Sequence, residues 1–399
     1  MPSAVRLVLA RIGPLMTAKD YVKASEIIQT ALAKKETRHP ELFFALGNCL
    51  MLRGEQKAAI KAYTQAVTLD SGHSLAWLNL AKAYYEVRQY QEAGRCFARG
   101  YGADGGKQAD TLYFSAAAYL MAGAYSEAIT SFQQLFAAHA KAIKPEWREH
   151  YIHALISGGK SKQALPLIRE LVAQATGDRK LQWQEILLAQ YVQLRMHKEA
   201  LGYSRELTDQ QPGEARWWKA LAHIQLSANH LEDAVATLTV YSYLKPLSRE
   251  ETRLLADLYL QAGIPVKAAP LYAQQLKSHP DAQVSLRLAM AYRQMDQADL
   301  ALQTLESAKG KDTDPRLLML QGELSYALNR YGLAADSYRQ AARLRGSHQG
   351  QSWLMAGYAA MQGQDLGASR EALTQAARFD KEKKAARLAL DHINQSMVQ

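Results

Sequence analysis

Alanine returns along this chain at a nearly constant interval. Ala24, Ala59, Ala93, Ala128, Ala164, Ala200, Ala234, Ala268, Ala301, Ala334 and Ala368 stand 33 to 36 residues apart. Ten successive gaps so close to one value define a period, and a period of this size means one supersecondary unit repeated in tandem. The stretch Ser74–Lys107 shows the unit best. With Ser74 as position 1, Trp77 is at 4, Leu80 at 7, Ala81 at 8, Tyr84 at 11, Ala93 at 20, Phe97 at 24 and Gly100 at 27. That spacing predicts two short amphipathic helices with a turn near Arg88–Gln89. Small Ala81 and Ala93 suit the point where the helices cross, and Trp77, Leu80, Tyr84 and Phe97 fill the space around it. Such a hairpin cannot bury its apolar face alone, so it needs like neighbours on both sides.

Prolines punctuate the pattern. Pro212, Pro246 and Pro280 fall between one repeat and the next, and Pro40, Pro145 and Pro315 open first helices, where the missing N–H costs nothing. Pro166 and Pro270 lie two residues after the recurring alanine; in a first turn they are tolerated, and beyond it they kink. Repeats four to six, about Ala109 to Pro212, are the weakest. They carry Leu135, Leu171 and Leu207 where a small residue is usual, which should loosen or re-angle the helix pairs. The expected fold is all-α: an α-solenoid superhelix of about eleven helix-turn-helix repeats over residues 1–380. The repeats lie near 5–39, 40–73, 74–107, 109–144, 145–180, 181–214, 215–248, 249–281, 282–314, 315–348 and 349–380. A capping helix and tail follow over 381–399, with Ala385, Leu388, Ala389 and Ile393 on its apolar side.

Hydrophobic content of 48% excludes wholesale disorder, and the charge of +10 is spread along the whole chain. Cys49 and Cys96 occupy positions 10 and 23 of consecutive repeats, where a small buried residue suits helix packing better than a disulfide or a metal site. Arg6 and Arg11 interrupt the N-terminal apolar run, so it does not read as a secretory signal. No window approaches the ~20 apolar residues of a membrane span.

In stacked hairpins the first helices line an inner groove, into which positions 2, 5, 9 and 12 of each repeat point. In repeats two to four this set, with position 6, gives Phe44, Asn48, Leu78, Asn79, Lys82, Tyr85, Tyr113 and Phe114. Aromatics there supply contact area, and amides can hold the backbone of an extended peptide. Repeats seven to nine give Arg216, Lys219, His223, Arg253, Asp257, Arg287 and Arg293. That basic set complements an acidic peptide or a chain-terminal carboxylate; the bland alternative is a solvated face neutralised by Asp257 and Glu250. Glu146, His150 and His153 share one helical face but do not make HExxH, so polar groove residues are the better reading than a zinc site. Gly102–Gly106 lacks the order of a phosphate-binding loop. No nucleophile elbow, dinucleotide fingerprint or paired acidic motif is present, so neither an enzyme nor a cofactor is expected.

The repeated residues quoted above resemble the tetratricopeptide repeat family across essentially the whole chain. The resemblance implies a helical superhelix that binds peptides or protein surfaces and scaffolds complexes, without naming the partner. The carboxylate clamp of some such domains is matched here by Asn48 and Asn79, but Phe44, Asp110 and Phe114 stand where it has cations. Arg216–Leu221, Pro246–Tyr272 and Trp353–Ala360 also look like bacterial repeat proteins encoded beside TonB–ExbB–ExbD energy-transduction components. That likeness implies a periplasmic accessory of envelope transport if an export signal has been removed, and a cytoplasmic protein otherwise. The sequence thus points to a protein or peptide partner, acidic if the basic set is used, and leaves the oligomeric state open. The alternative is a nucleic-acid-binding helical-repeat protein, suggested by +10 and the groove aromatics. Against it, no base-reading set recurs at matching positions in every repeat.

Overall fold

The computed structural model describes residues 1–344, 346 and 348–396, and among them it contains α-helices, three short 3-10 turns and no strand. Contacts divide the chain into two units, Met1–Met196 and His197–Gln399. The division falls inside the stretch where the repeat pattern is weakest.

The first unit begins with α1 (Ser3–Thr17), α2 (Tyr21–Leu32), α3 (Pro40–Leu52), α4 (Gln56–Leu69), α5 (Ser74–Glu86) and α6 (Tyr90–Ala103). It continues with α7 (Ala109–Met121), α8 (Tyr125–Ala138), α9 (Pro145–Ser157), α10 (Ser161–Gln174) and α11 (Gly177–Gln193). The second unit runs through α12 (His197–Gln210), α13 (Ala215–Ser227), α14 (Leu231–Leu244), α15 (Arg249–Gln261), α16 (Pro265–Ser278) and α17 (Ala282–Gln294). It ends with α18 (Ala298–Glu306), α19 (Pro315–Ala327), α20 (Tyr331–Arg343), α21 (Gln349–Gln362), α22 (Leu366–Ala376) and α23 (Lys383–Ser396). Within each unit every helix packs on its sequence neighbours, and some first helices touch the next first helix as well, as α3 touches α5 and α17 touches α19.

Eleven hairpin bends share one backbone solution. Two residues before each second helix stands a residue in the left-handed region: Lys19, Gly54, Arg88, Gly123, Gly159, Arg195, Asn229, Gly263, Asp296, Asn329 and Gln364, with φ between 55° and 77°. The N–H of the next residue donates to the carbonyl five residues back, as in Glu55 to Leu50 and Gln89 to Tyr84, both 2.9 Å. This is the Schellman termination, which satisfies carbonyls that a helix end leaves unpaired. A side chain at such a position strains the backbone, and glycine does not. Gly123→Ala is therefore expected to lower stability by about 1–2 kcal/mol, read as a lower urea midpoint. No neighbour lies within 4 Å of the added Cβ to obscure the backbone effect.

The recurring alanines sit in the second helices and pack as their spacing predicts: Ala24 through Ala334 are each no more than 1% exposed. The last repeat departs by one residue. Ala368 is only half-buried, and Ser369, fourth in α22 as the alanines are fourth in theirs, is fully buried. Its hydroxyl donates to the Gly357 carbonyl at 2.8 Å, so a polar side chain of nearly alanine size fits the crossing with its hydrogen bond made.

On the opposing helix the small residue is glycine in three pairs. A Cβ on Gly47 would lie 2.4 Å from the Tyr63 ring, on Gly322 2.8 Å from Tyr338, and on Gly357 2.6 Å from Leu373. Leu135, Leu171 and Leu207 are all buried, so the middle repeats absorb their bulk. Pro166 and Pro270 are each the sixth residue of their helix, past the first turn. The carbonyls of Lys162 and Val266 thereby lose their helical donors, and both residues are exposed to water.

α23 covers α22, but through a face rotated from the expected one. Ala386, Ala389 and Ile393 are buried, while Leu388 is 62% exposed. Both cysteines are buried free thiols. Burial raises the Cys49 pKa and pushes Cys96 up to about 12, which leaves neither with thiolate character at neutral pH.

Candidate functional site

In the first unit, the first helices α3, α5 and α7 present two clefts that meet at Lys82 and Glu86. One, of about 420 Å³, is lined by Met16, Asn48, Met51, Leu52, Tyr63, Asn79, Lys82 and Glu86. The other, of about 440 Å³, is lined by Lys82, Tyr85, Glu86, Phe97, Tyr113, Phe114 and Ala117. Six of the eight residues expected on this face thus line a cleft: Asn48, Asn79, Lys82, Tyr85, Tyr113 and Phe114.

Phe44 and Leu78 do not. Phe44 lies 4.8 Å from the His73 ring and 6.1 Å from Tyr63. Leu78 lies against Gly100, where an added Cβ would come within 3.0 Å of it. Both are taken up by packing against neighbouring helices. The one-helix pattern missed Met16, Met51, Leu52 and Glu86, which come from helix C-termini, Ala117 on α7, and Tyr63 and Phe97, which reach the clefts from second helices.

The amides are pre-set. Asn48 Oδ1 accepts from the Tyr63 hydroxyl at 2.7 Å and from Asn79 Nδ2 at 2.8 Å. With its oxygen doubly engaged, Asn48 keeps its own NH2 for other partners. Burial raises the Tyr63 pKa well above the phenol range, so it remains a donor.

The aromatic wall continues onto α9. Tyr113 stacks on Trp147 at 4.8 Å and 13°, and its hydroxyl meets His150 Nδ1 at 2.9 Å. Tyr85 and Phe114 remain 42% and 48% exposed. Lys82 and Glu86 have no ion-pair partner among the described residues, whereas Asp110 is held by Lys144 at 2.7 Å. His153 meets Ser157, not His150 or Glu146, and among the described residues no group of three or more His, Cys, Asp or Glu is placed to hold a metal ion.

The second unit uses its basic set differently. Lys219 pairs with Glu251 at 2.7 Å, Arg287 with Asp257 at 2.8 Å and Arg293 with Glu323 at 3.0 Å, and Arg253 donates to Gln283 at 2.8 Å. Each tie joins one first helix to the next. Arg216 pairs with Glu214 at 3.0 Å, and His223 is exposed. The acceptors were legible in principle. Residues 253 and 283, 257 and 287, and 293 and 323 are all 30 apart, one period less one helical turn, which brings them side by side on adjacent first helices.

Glu251 is the unusual member. It is third in α15, a place held by buried Trp217 in α13 and Val284 in α17, and its side chain is 16% exposed. Burial alone would raise its pKa. Hydrogen bonds from Lys219, the Ser248 N–H and the Tyr241 hydroxyl, with the Lys219 charge, overcome that and hold it at about 2.

Among the described residues no helix is long and apolar enough to cross a membrane. No curated protein sequence matches the chain. Among solved structures, a MamA protein aligns at 18% identity and TM-score 0.35, covering 46% of this chain and 94% of that one. Yeast Tom70 aligns at 13% identity and TM-score 0.33, covering 98% and 96%. A tetratricopeptide repeat protein from Parabacteroides merdae ATCC 43184 aligns at 13% identity and TM-score 0.33, covering 73% and 99%. Likeness at these scores establishes neither partner nor function. A family model described as the tetratricopeptide repeat matches residues 15–74 and 253–317. One match lies in each unit, over helix pairs with the same left-handed bend and buried alanine as their neighbours, so these two stretches match the tetratricopeptide repeat within an all-α helical-repeat fold.

Proposed function

We propose that this chain is a non-enzymatic scaffold that holds a segment of another protein against the α3–α5–α7 face of its first unit. The observation that carries the reading is the pair of joined clefts, with two aromatic side chains left nearly half in water beside Asn48, Asn79 and Lys82. Solenoid repeats bind extended ligands along such faces, and aromatic area flanked by amide donors suits a polypeptide. The basic set of the second unit supports the reading less, because its cations are tied mainly to neighbouring helices. The likeness of three segments to proteins encoded beside TonB–ExbB–ExbD components supports a role as an accessory of bacterial envelope transport.

The test compares the polypeptides that co-purify with wild type, with Tyr85→Ala/Phe114→Ala, and with Lys61→Ala/Arg99→Ala on second helices. The expected result is loss of bound polypeptide in the first double variant alone, with helical content unchanged by circular dichroism. Equal recovery by all three proteins defeats the proposal.

A further inference from the structure

The two clefts differ in chemistry, and the difference specifies the partner segment. Resting on the reading above, we infer that the α5–α7 cleft receives one large apolar side chain from an acidic, extended segment of the partner.

Phe97, 6% exposed, forms the floor, with its ring 5.7 Å from that of Phe114. Tyr113 and Phe114 make one wall and Tyr85 the other, the Tyr85 hydroxyl being turned aside onto Met121 Sδ at 3.1 Å. Every polar group of these walls thus has a partner in the protein, since the Tyr113 hydroxyl meets His150. The space between the rings offers mainly apolar area, Lys82 and Glu86 being the polar lining groups left without an ion-pair partner among the described residues. A cleft of this size, mostly aromatic with few polar groups at its edge, is a site for a bulky anchor.

Charge selects the flanking residues. The first unit holds 24 Lys and Arg against 16 Asp and Glu, a net +8, while the second holds 24 against 22. At the mouth, Lys82 is exposed and unpaired, and Asp110 on the facing helix is neutralised by Lys144. Glu86 is the one unpaired acid lining the cleft. It lies one turn beyond Lys82 on α5 and lines both clefts with it, so the preference for acid rests on exposed Lys82 and on the net positive charge of the first unit. Extended chain rises about 3.3 Å per residue, so an acid two to four residues from the anchor lies roughly 7–13 Å along the partner, within reach of the neighbouring Lys82.

The test is selection of a random dodecapeptide display library on the full-length chain, with counter-selection on Phe114→Ala. Enriched peptides are expected to carry Leu, Met, Phe or Trp with Asp or Glu two to four residues away. For an enriched peptide measured by fluorescence anisotropy, replacing the anchor with Ala, or using Phe114→Ala, should weaken binding about tenfold or more. Lys82→Gln should weaken it by a smaller factor and flatten its salt dependence. Enrichment of basic or anchorless peptides, or binding unaffected by Phe114→Ala, overturns the inference; so does a library that yields no binder. Any of these beside intact groove-dependent co-purification leaves the scaffold reading standing and removes only the anchor.

Discussion

Trp217→Ala is expected to cost the second unit about 3–5 kcal/mol, the largest single loss we anticipate in the molecule. Trp217 is only 1% exposed and ranks first by volume among the fully buried side chains. Its indole N–H reaches Gln211 Oε1 at 3.3 Å and the Arg216 guanidinium carbon lies 6.0 Å from its ring, so truncation leaves a cavity and removes the donor facing Gln211. The companion change Trp218→Ala should cost much less. Trp218 is only half-buried and donates to the Pro212 carbonyl at 2.9 Å, as Trp77 donates to Ser71 at 2.9 Å. Guanidinium denaturation monitored by far-ultraviolet circular dichroism measures both. Equal losses would mean that the third and fourth positions of α13 have been assigned the wrong burdens.

Gly47→Val ranks second, at about 1–3 kcal/mol from overpacking. The added Cβ would approach the Tyr63 ring to 2.4 Å, and that ring cannot swing away at low cost. It is 1% exposed and its hydroxyl is bonded to Asn48. α3 and α4 must separate, or Tyr63 must give up Asn48. The change should therefore disturb the cleft as well as stability, detectable as faster hydrogen exchange in α3 and α4. Ala45→Val, on the same helix and only partly buried, is the matched control. Thermal stability of Gly47→Val equal to that control would show that the crossing is looser than the geometry implies.

These positions show what the sequence made legible. The alanine period located the crossings because close approach of two helices admits only small side chains, and ten of eleven alanines occupy the same structural place. It misplaced the eleventh because serine can stand in for alanine when a carbonyl takes its hydroxyl. Leu388 was assigned to the wrong side of α23 because Ala386 and Ala389, which carry the contact, have too little hydrophobic contrast to mark a face. The left-handed bends carry only a partial residue signature: seven of eleven are Gly, Asn or Asp, which tolerate the region, but Lys, Arg and Gln serve as well, since the bond that makes the bend joins backbone atoms. In the candidate site, the pattern along single helices placed six of the thirteen lining residues of the first unit. In the second unit it named Asp257, which does pair with Arg287, but missed Glu251, Gln283 and Glu323 as partners, because each tie joins two repeats.

The backbone-made bends, together with the two quiet thiols, have a practical consequence. Arg88 and Gln364 occupy bends with their side chains in water, and cysteine in either place strains the chain no more than the residue already there. Cys49 and Cys96 are buried and protonated, so a maleimide dye at neutral pH should couple to an introduced Arg88→Cys or Gln364→Cys and leave the native sulfurs untouched. The molecule is ready for single-site spectroscopic reporters without first being stripped of its own cysteines.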